Sequence, residues 1–500
     1  MAGPKGTTYA LDHSGESRMN TTQQREVTLG DILTIEDDLA LLDYQCNNIG
    51  IPVWPLVRVP FLRAIMSAML YGTPLVNVVA PNFKAVGALC RATAHNAIHK
   101  PIVKSDILIM ARGMGNQIKD GRWFNRVSDH FALTNENRTL VLEDFFNWQW
   151  PFPRHNNRVL FYAPIQVASV IVGRVLCRKI HLTQARQLVS LVRKRGQKIL
   201  GWDIGEERTI MLVHLLARRI AAIPWLYRRY RVMLQRVQPK ILMKGEACYG
   251  PSAVLMRVAS DLGVVTAEYQ HGVVSAGHDA YNLSPTLRNS IEYKKTLPDY
   301  FLGYGQWWNN QINVPVTKIA IGNPHRSEQL KQYAIYPKQE RTDILVLSDG
   351  IETNLHLDLA RQLIRQLGNK FTVVFRPHPM ERTAVTVKYS GGVTDGVRID
   401  KNDDIYQSFL TAYAVVGELS TGLFEAIGFV GRIFIWDTRK ARFYFPNHPF
   451  CVFGDASNLA SQLFENNGKE LTPEQNQEIW APNWRENYQQ FLAGIGVKPA

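Results

Sequence analysis

The strongest constraint on the fold is a series of short apolar runs that recurs between residues 107 and 436. Each run is nearly continuous and is bounded by polar residues or glycine, which is typical of parallel strands buried on both faces. Helical stretches such as 356–367 and 404–413 separate several runs, so the pattern is βαβ. The predicted strands are 107–110, 139–142, 159–162, 241–243 and 264–269 in a first series, and 300–302, 319–321, 344–347, 372–375, 397–399, 414–416 and 433–436 in a second.

At 500 residues the chain is longer than one hydrophobic core usually serves. We therefore predict an α/β protein of two domains in tandem, joined near residues 284–298, with parallel sheets. The predicted boundaries are 1–100 for a mobile segment and an extra N-terminal helical region with a helix at 29–42, 101–290 for the first domain, 295–445 for the second domain, and 446–500 for a C-terminal helical tail.

Two basic amphipathic stretches form a predicted helical insertion at 170–237. The stretches 176–200 and 207–237 place arginine and lysine around apolar residues, and aromatic residues such as Trp225 are interleaved in the second. The formal net charge of +14 favours acidic partners. We recognise no nucleic-acid-binding module, so nucleic acid is not an expected partner. A solvated basic face and a face that binds an anionic membrane surface both stay open.

Cysteine usage and the composition of the N-terminus favour the cytoplasm. The five cysteines are scattered without a CxxC pair, which is typical of reduced thiols. Residues 1–25 are polar, and the most apolar stretch, 53–79, is broken by charged residues, glycine and proline. We expect a cytoplasmic protein that is not integral to a membrane, and a peripheral position at the inner face of the cytoplasmic membrane is compatible with the basic insertion.

Two strand ends of the second domain carry residues that suit a phosphate group, because ligands of parallel sheets bind at the carboxyl ends of strands. Strand 372–375 runs into Arg376, Pro377, His378 and Pro379. The prolines stiffen this turn, and an arginine and a histidine presented there suit a diphosphate.

Strand 414–416 runs into a second such turn. Ser420, Thr421 and Gly422 stand where a helix begins, and hydroxyls with free amides at a helix start favour anions. Glu425 follows one turn later, within reach of a ribose hydroxyl. The alternative, that Ser420 and Thr421 only cap the helix, stays open.

The first domain has two comparable strand ends. Strand 264–269 runs into Gln270, His271 and Gly272, and strand 241–243 runs towards Glu246. A carboxylate facing a cleft deprotonates an acceptor hydroxyl if burial raises its pKa, so Glu246 is a candidate base. Asp129 is the rival candidate.

Together these motifs resemble the bacterial capsule and cell-wall polymer transferases of the GT-B fold. The resemblance rests on Tyr269 to Gly272, Arg376 to Pro379 and Ser420 to Ala426, and it covers about 239–437. The group includes capsular Kdo transferases, sialyltransferases with an HP motif, and glycerophosphotransferases that use CDP-glycerol.

The resemblance implies two facing Rossmann-like domains, the first for the acceptor and the second for the nucleotide donor. It implies that His378 with Ser420 and Thr421 holds the donor phosphates. It also implies that Glu425 contacts the nucleoside and that His271 lies at the interdomain cleft.

Neither a metal nor another cofactor is expected. The sequence has no DxD triplet of the kind that metal-dependent transferases use, and helix capping explains Asp403 and Asp404. Arg376, His378 and the helix end would meet the charge of the leaving group instead.

The leading hypothesis is an inverting, metal-independent glycosyltransferase that moves a sugar from a nucleotide-sugar donor to a bacterial surface polysaccharide such as a capsule or O-antigen. Its expected partners are the donor, a glycan or lipid-linked glycan acceptor, and an anionic membrane surface. Polyol-phosphate transfer from a CDP-activated donor, nucleotide-sugar epimerisation and a non-enzymatic membrane-surface scaffold stay open as alternatives.

Overall fold

The computed structural model describes residues 26–46, 49–71, 83–99, 104–333, 341–468 and 470–497. The stretch 1–25, which the sequence predicts to be mobile, lies outside these ranges. Two seven-stranded sheets dominate the described part. Two short antiparallel pairs stand apart from them, Gln45–Cys46 with Ile51–Pro52 and Asn116–Lys119 with Arg122–Asn125.

The first sheet contains seven strands, all paired in parallel. They are β1 Ile107–Met110, β2 Thr139–Glu143, β3 Val159–Phe161, β4 Ile241–Lys244, β5 Val265–Tyr269, β6 Tyr300–Gly303 and β7 Thr317–Ala320. Their order across the sheet is β7–β6–β5–β4–β1–β2–β3. The order reverses between β4 and β1, so the loops after these two strands diverge and leave a crevice at the carboxyl edge.

The second sheet has the same plan. Its strands are β8 Asp343–Leu347, β9 Thr372–Arg376, β10 Val393–Thr394, β11 Val397–Ile399, β12 Ala412–Gly417, β13 Ile433–Trp436 and β14 Cys451–Phe453. Their order is β10–β11–β9–β8–β12–β13–β14, and the β10–β11 pair is antiparallel whereas the others are parallel. The reversal here falls between β8 and β12.

These sheets confirm the expected fold class, an α/β protein of two facing Rossmann-like domains with parallel sheets. The predicted join at 284–298 is wrong, because β6 and β7 belong to the first sheet. Leu302 of β6 pairs with Tyr269 of β5 on one side and with Ile319 of β7 on the other. The chain crosses to the second sheet only after β7.

Helices cover both sheets. In the described ranges, those of ten or more residues are α1 Pro55–Tyr71, α2 Phe83–Ile98, α3 Ala163–Val175, α4 Lys179–Leu200, α5 Glu206–Val237, α6 Pro324–Tyr333, α7 Thr353–Leu367 and α8 Trp484–Gly494. Shorter helices are Leu29–Leu33, Asp129–Thr134, Ala253–Asp261, Pro285–Asn289, Ile291–Lys294, Gln306–Asn310, Arg382–Lys388, Ile405–Thr411, Thr421–Glu425, Arg439–Tyr444, Ala456–Phe464 and Pro473–Ile479. Helix α6 carries the chain from one domain to the other.

The basic insertion is a layer formed by α3, α4 and α5. The helix predicted from 176 begins instead at Lys179, because extended backbone at Arg178 (φ −116°, ψ 170°) separates α3 from α4. Among the described residues, α5 is the one helix long and apolar enough to span a membrane by length and composition, and half of its most apolar window is buried inside the protein. A core helix of a folded domain meets the same criterion.

The N-terminal segment is less helical than its sequence pattern indicates. The helix predicted at 29–42 is a single short helix, Leu29–Leu33, with Thr28 and Asp31 as its capping box. Two 3₁₀ turns follow it, because buried Glu36 is drawn to Arg58 of α1, whose Nε donates to its carboxylate at 2.6 Å. This ion pair fixes the segment to the first domain.

The predicted C-terminal tail, 446–500, is not a separate helical unit. It contains β14, which is the edge strand of the second sheet. The chain then returns to the first domain, where Tyr488 and Leu492 of α8 are buried in the same hydrophobic cluster as Ile109 of β1. The two domains are therefore joined by the chain at two places, before β8 and before α8.

Candidate active site

The candidate active site is a cavity of about 190 Å³ between the two domains. It lies beside the reversal point of the second sheet, where ligands of parallel sheets bind. Its lining from the first domain and α6 is Arg126, Val127, His271, Gly272, Tyr304, Asn323 and His325, and its lining from the second is Asp349, Arg376, His378, Pro379, Arg382, Asp403, Ile405, Leu419, Ser420, Thr421, Gly422 and Glu425. Arg376, His378, Ser420 and Thr421 thus meet at one cavity.

His378 is held at the end of β9 as a neutral hydrogen-bond donor. Its Nδ1 accepts a hydrogen bond from the Met380 amide at 3.3 Å, and its own amide donates to Glu381 at 2.9 Å. Burial lowers the pKa of His378, and the opposing effects of Glu381 and Asp349 are smaller. A neutral ring whose Nδ1 is an acceptor carries its proton on Nε2.

Ser420 and Thr421 play different parts at the end of β12. The Ser420 side chain caps the helix Thr421–Glu425, since its Oγ accepts from the Gly422 amide at 3.1 Å. A Cβ at Gly422 would lie 2.8 Å from the terminal methyl groups of Ile405 and Leu347, so a side chain there would require both to shift. No partner is found for the Thr421 hydroxyl in the described part of the chain, which leaves it free to face a ligand.

Arg376 is committed to the protein itself. Its Nη1 donates to Asp400 at 2.5 Å, to the carbonyl of Asn402 at 2.9 Å and to Ser408 at 3.0 Å. Its Nη2 donates to the carbonyl of Asp403 at 3.2 Å, and the residue is buried. The guanidinium therefore holds the loop that forms this part of the cavity wall. Direct binding of a phosphate by Arg376, as the sequence predicts, would compete with these hydrogen bonds.

Two other cations line the cavity and were missed by the sequence analysis. Arg126 follows the antiparallel hairpin of the first domain, and its exposed guanidinium forms no ion pair with any described residue. Arg382 donates to the Asp403 carbonyl at 3.0 Å and lies 3.6 Å from the Asp403 carboxylate, while its buried Nε has no hydrogen-bond partner among the residues that the structure describes. A clue was present for Arg382, which lies one helical turn after the His378 motif.

Glu425 lies on the cavity wall as a half-buried carboxylate. Burial raises its pKa, and Arg126 and Arg326 oppose this effect in part. Its contact with a nucleoside stays a prediction.

His271 faces the cavity from the other side and lies between two carboxylates. Its Nε2 is 3.7 Å from Glu246 and its Nδ1 is 3.8 Å from Glu268. Burial lowers the pKa of His271 to about 4, although Glu246 opposes the shift. Burial raises the pKa of Glu268 to about 7. The imidazole is therefore neutral at pH 7, and a carboxylate is ready to stabilise the charge once the ring takes up a proton.

Glu246 does not line the cavity, which corrects its predicted role as the residue that meets the acceptor. Its carboxylate forms an ion pair with Arg112 across the reversal point of the first sheet. Its backbone has a φ of 59°, a strained conformation for a residue with a side chain. Glu246 is thus held by Arg112 at 3.7 Å from the His271 ring.

Asp129, the rival base, is wrongly assigned by the sequence. It is fully buried, and both of its carboxylate oxygens accept from Arg154 Nη2 at 2.7 Å. The Asn125 amide donates a further bond at 2.8 Å. Arg154 also pairs with buried Glu143, so the group is a closed structural network without a free oxygen for a substrate.

We expect Asp129→Asn to lower the free energy of unfolding by about 1–3 kcal/mol, because an amide NH₂ would face donors and leave one of them unpaired. The rate per folded molecule should not change. Denaturant unfolding and specific activity check this, with Asp120→Asn at an exposed turn as a control expected within about 0.5 kcal/mol of the wild type. A large loss of rate at unchanged stability would restore Asp129 as the base.

The remaining predicted residues, Gln270, Gly272 and Pro379, shape the cleft. Gln270 is buried and does not line the cavity; its amide donates to the Gly272 carbonyl at 2.8 Å and its oxygen accepts from the Tyr304 amide at 2.7 Å. It thereby ties the His271 turn to the end of β6. Gly272 and Pro379 line the cavity from opposite domains.

One group in the described ranges has the composition of a metal site. Asp349, His356 and Glu418 place one donor atom each within 4.8 Å of the others. However, the Lys440 ammonium lies 2.7 Å from Glu418 and 3.7 Å from Asp349, and it also pairs with Glu352. Lys440 therefore already places an ammonium group among these carboxylates, next to the cavity wall formed by Asp349.

No family model matches this sequence, and no curated protein matches it either. Solved structures with a similar fold include the UDP-GlcNAc 2-epimerase of Methanocaldococcus jannaschii in complex with UDP-GlcNAc and UDP. The two sequences are 12% identical and the TM-score is 0.37. The match covers 55% of this chain and 81% of that one. The UDP-GlcNAc 2-epimerase of Neisseria meningitidis has 9% identity, a TM-score of 0.38, and coverage of 78% and 99%. The wall teichoic acid polymerase TagF has 11% identity, a TM-score of 0.35, and coverage of 84% and 94%.

Proposed function

We propose that this protein is a transferase that moves a sugar from a nucleotide-activated donor to a bacterial surface glycan, with inversion and without a metal. The observation that carries the proposal is the cavity itself. A neutral histidine from the first domain and a phosphate-type lining from the second meet there at the carboxyl ends of two parallel sheets. Two substrates held by two domains need such a shared space.

The second domain suits the donor. The Nε2 proton of His378, the free hydroxyl of Thr421 and the guanidinium of Arg382 give a diphosphate a set of donors, and Arg126 of the first domain adds a positive charge from across the cavity. The hydrogen bonds and ionic contacts between these groups and the donor become stronger as negative charge develops on the departing phosphate oxygen. Because burial keeps His378 neutral, it contributes a hydrogen bond rather than a full charge.

The first domain suits the acceptor. In the proposed step, His271 takes the proton of an acceptor hydroxyl, whose oxygen forms a bond to the anomeric carbon as the bond from that carbon to the donor phosphate breaks. The electron pair of the broken bond leaves with the nucleotide. Glu246 and Glu268 lie within 4 Å of the ring and stabilise the imidazolium that results.

The proposal needs no metal because the cavity brings its own cations. Arg126 and Arg382 lie on its wall, and Arg382 pairs only with the exposed carboxylate of Asp403 among the described residues. Lys440 contacts the nearby carboxylates Asp349 and Glu418.

Nucleotide binding is the most direct test. We expect one nucleotide among CMP, CDP, UDP and UMP to raise the melting temperature, since a ligand at a hundredfold excess over its Kd stabilises the folded state by about 2.7 kcal/mol. Thr421→Val should weaken this effect, whereas the isosteric control Thr317→Val, exposed on β7 outside the cavity, should not. Stabilisation by cytidine nucleotides alone would favour a CMP-sugar or a CDP-polyol donor. If no nucleotide stabilises the protein, or if both variants behave alike, the donor site is wrongly placed.

A further inference from the structure

A second cavity, separate from the interdomain cleft, lies in the first domain between α3 and α5. Its volume is about 710 Å³, within the range of small-molecule sites. The two helices touch closely at Gly173, where a Cβ would lie 2.5 Å from the Arg218 carbonyl. Val170, Met211 and Leu226 are among the apolar side chains that line it. We refer to this cavity as the α3–α5 groove.

Positive charge collects along the groove. Four cations line it, Arg174, Arg218, Arg219 and Lys244, and none of the lining residues in the described part of the chain is acidic. Arg174 and Arg218 are exposed, and no carboxylate among the described residues pairs with them.

Arg219 is the most informative of these cations. Its Nη1 donates to the Leu56 carbonyl, and no carboxylate within the described ranges compensates the guanidinium. Burial alone lowers its pKa to about 10. A partly buried cation without a counter-ion is costly, and an anion bound beside it would recover that cost.

The mouth of the groove is apolar on its outer side. Val170 of α3 and Met211 of α5, which both line the groove, are 54% and 44% exposed. Exposed apolar residues next to an apolar groove extend its surface for a ligand longer than the groove itself.

The inner end of the groove approaches the reaction site. Lys244 lines the groove and is the last residue of β4. Glu246 follows on the same turn, and its carboxylate lies 3.7 Å from His271, which lines the interdomain cavity. The Lys244 end of the groove is therefore close to the candidate base.

We infer that the α3–α5 groove binds the lipid carrier of the acceptor, a long apolar chain that ends in a phosphate. The chain lies against Val170, Met211 and Leu226, and the phosphate pairs with Arg218 and Arg219. The wall combines a continuous apolar surface with uncompensated cations, and an anionic amphiphile is the chemical class that matches both. The inference rests on the proposed function for the identity of the acceptor, but the binding itself does not require transfer.

The probe is dodecyl phosphate below its critical micelle concentration. Its binding to the full-length protein is measured by isothermal titration calorimetry. We expect saturable binding with one site. Dodecanol, which lacks the phosphate, and inorganic phosphate, which lacks the chain, should each bind at least about tenfold more weakly, because each lacks one of the two groups that the groove contacts.

Matched variants locate the site. Arg218→Glu should weaken dodecyl phosphate binding at least about tenfold, whereas Arg228→Glu, an exposed change on the same helix outside the groove, should not. Met211→Asp should weaken binding, and its neighbour Ile210→Asp, 50% exposed but not lining the groove, should not. All four changes are at exposed positions, so the fold should tolerate them.

Two outcomes would overturn the inference. The first is a lack of dodecyl phosphate binding. The second is an equal loss of dodecyl phosphate binding in Arg218→Glu and Arg228→Glu, together with an equal loss of binding to phosphatidylglycerol vesicles in both variants. That result would show that the basic helices form a general membrane surface instead. The nucleotide melting shift, measured in the same variants, should stay at the wild-type value. Its absence in the wild type would count against the transferase proposal without affecting the groove.

Discussion

Replacing His378 with alanine should lower kcat by about 10²–10³-fold, the usual cost of removing one preorganised donor to a developing negative charge. The side chain is half-buried at a strand end and borders the interdomain cavity, so in the proposed step its loss removes a hydrogen bond to the leaving group more than it removes packing. Steady-state kinetics with the donor identified by the melting screen measures this change. The folded yield and the melting temperature should remain close to those of the wild type.

His448 offers a closely matched control for this variant. It is also a half-buried histidine of the second domain, and its Nδ1 accepts from the amide two residues later at 3.2 Å, as that of His378 does. It does not line the cavity. His448→Ala should therefore keep the wild-type kcat, and an equal loss in both variants would mean that the effect is structural.

Replacing His271 with asparagine should lower kcat/KM by about 10²–10⁴-fold, as expected for the loss of a general base. The pH dependence adds a second readout. The ring accepts a proton only while it is neutral, so activity is lost as the pH falls through its pKa. Because that pKa lies at about 4, the acidic limb of kcat/KM should lie near pH 4 and not near pH 6.5.

Glu246→Gln separates a base from a positioning residue. Glu246 raises the pKa of His271, whereas Arg112 and Lys244 lower it. Removal of the Glu246 charge should therefore move the acidic limb to lower pH and should reduce the rate less than His271→Asn does. A rate loss as large as that of His271→Asn, with no shift of the limb, would make Glu246 the base.

The sequence predicts the strand ends of the site well because they depend on local patterns. His378 follows β9 and Thr421 follows β12, and parallel strands that are neighbours or near neighbours in a sheet present their carboxyl ends at the same edge. A short apolar run followed by a polar turn is sufficient to place such residues. The same logic places His271 after β5.

The errors share one physical cause, since each depends on a partner distant in sequence. Asp129 resembles an available carboxylate until Arg154 closes over it, and Arg376 resembles a free cation until Asp400 accepts its bond. Nothing in the local sequence distinguishes β6 from a strand of the second domain, because its place is set by pairing with β5. Arg126 was missed for the same reason, because it lines the cavity only when the two domains face each other.

Helix α8 has a consequence for how the two domains depend on each other. It follows the second domain in the chain, yet Trp484 and Tyr488 complete the core beneath the first sheet. The domains are therefore not independent modules, and a cut at α6 would leave the first domain with an open apolar wall. Two connections, α6 and the segment before α8, cross between the domains, and His325 of the first crossing lines the interdomain cavity. The space between the domains is therefore bordered by the same segment that joins them.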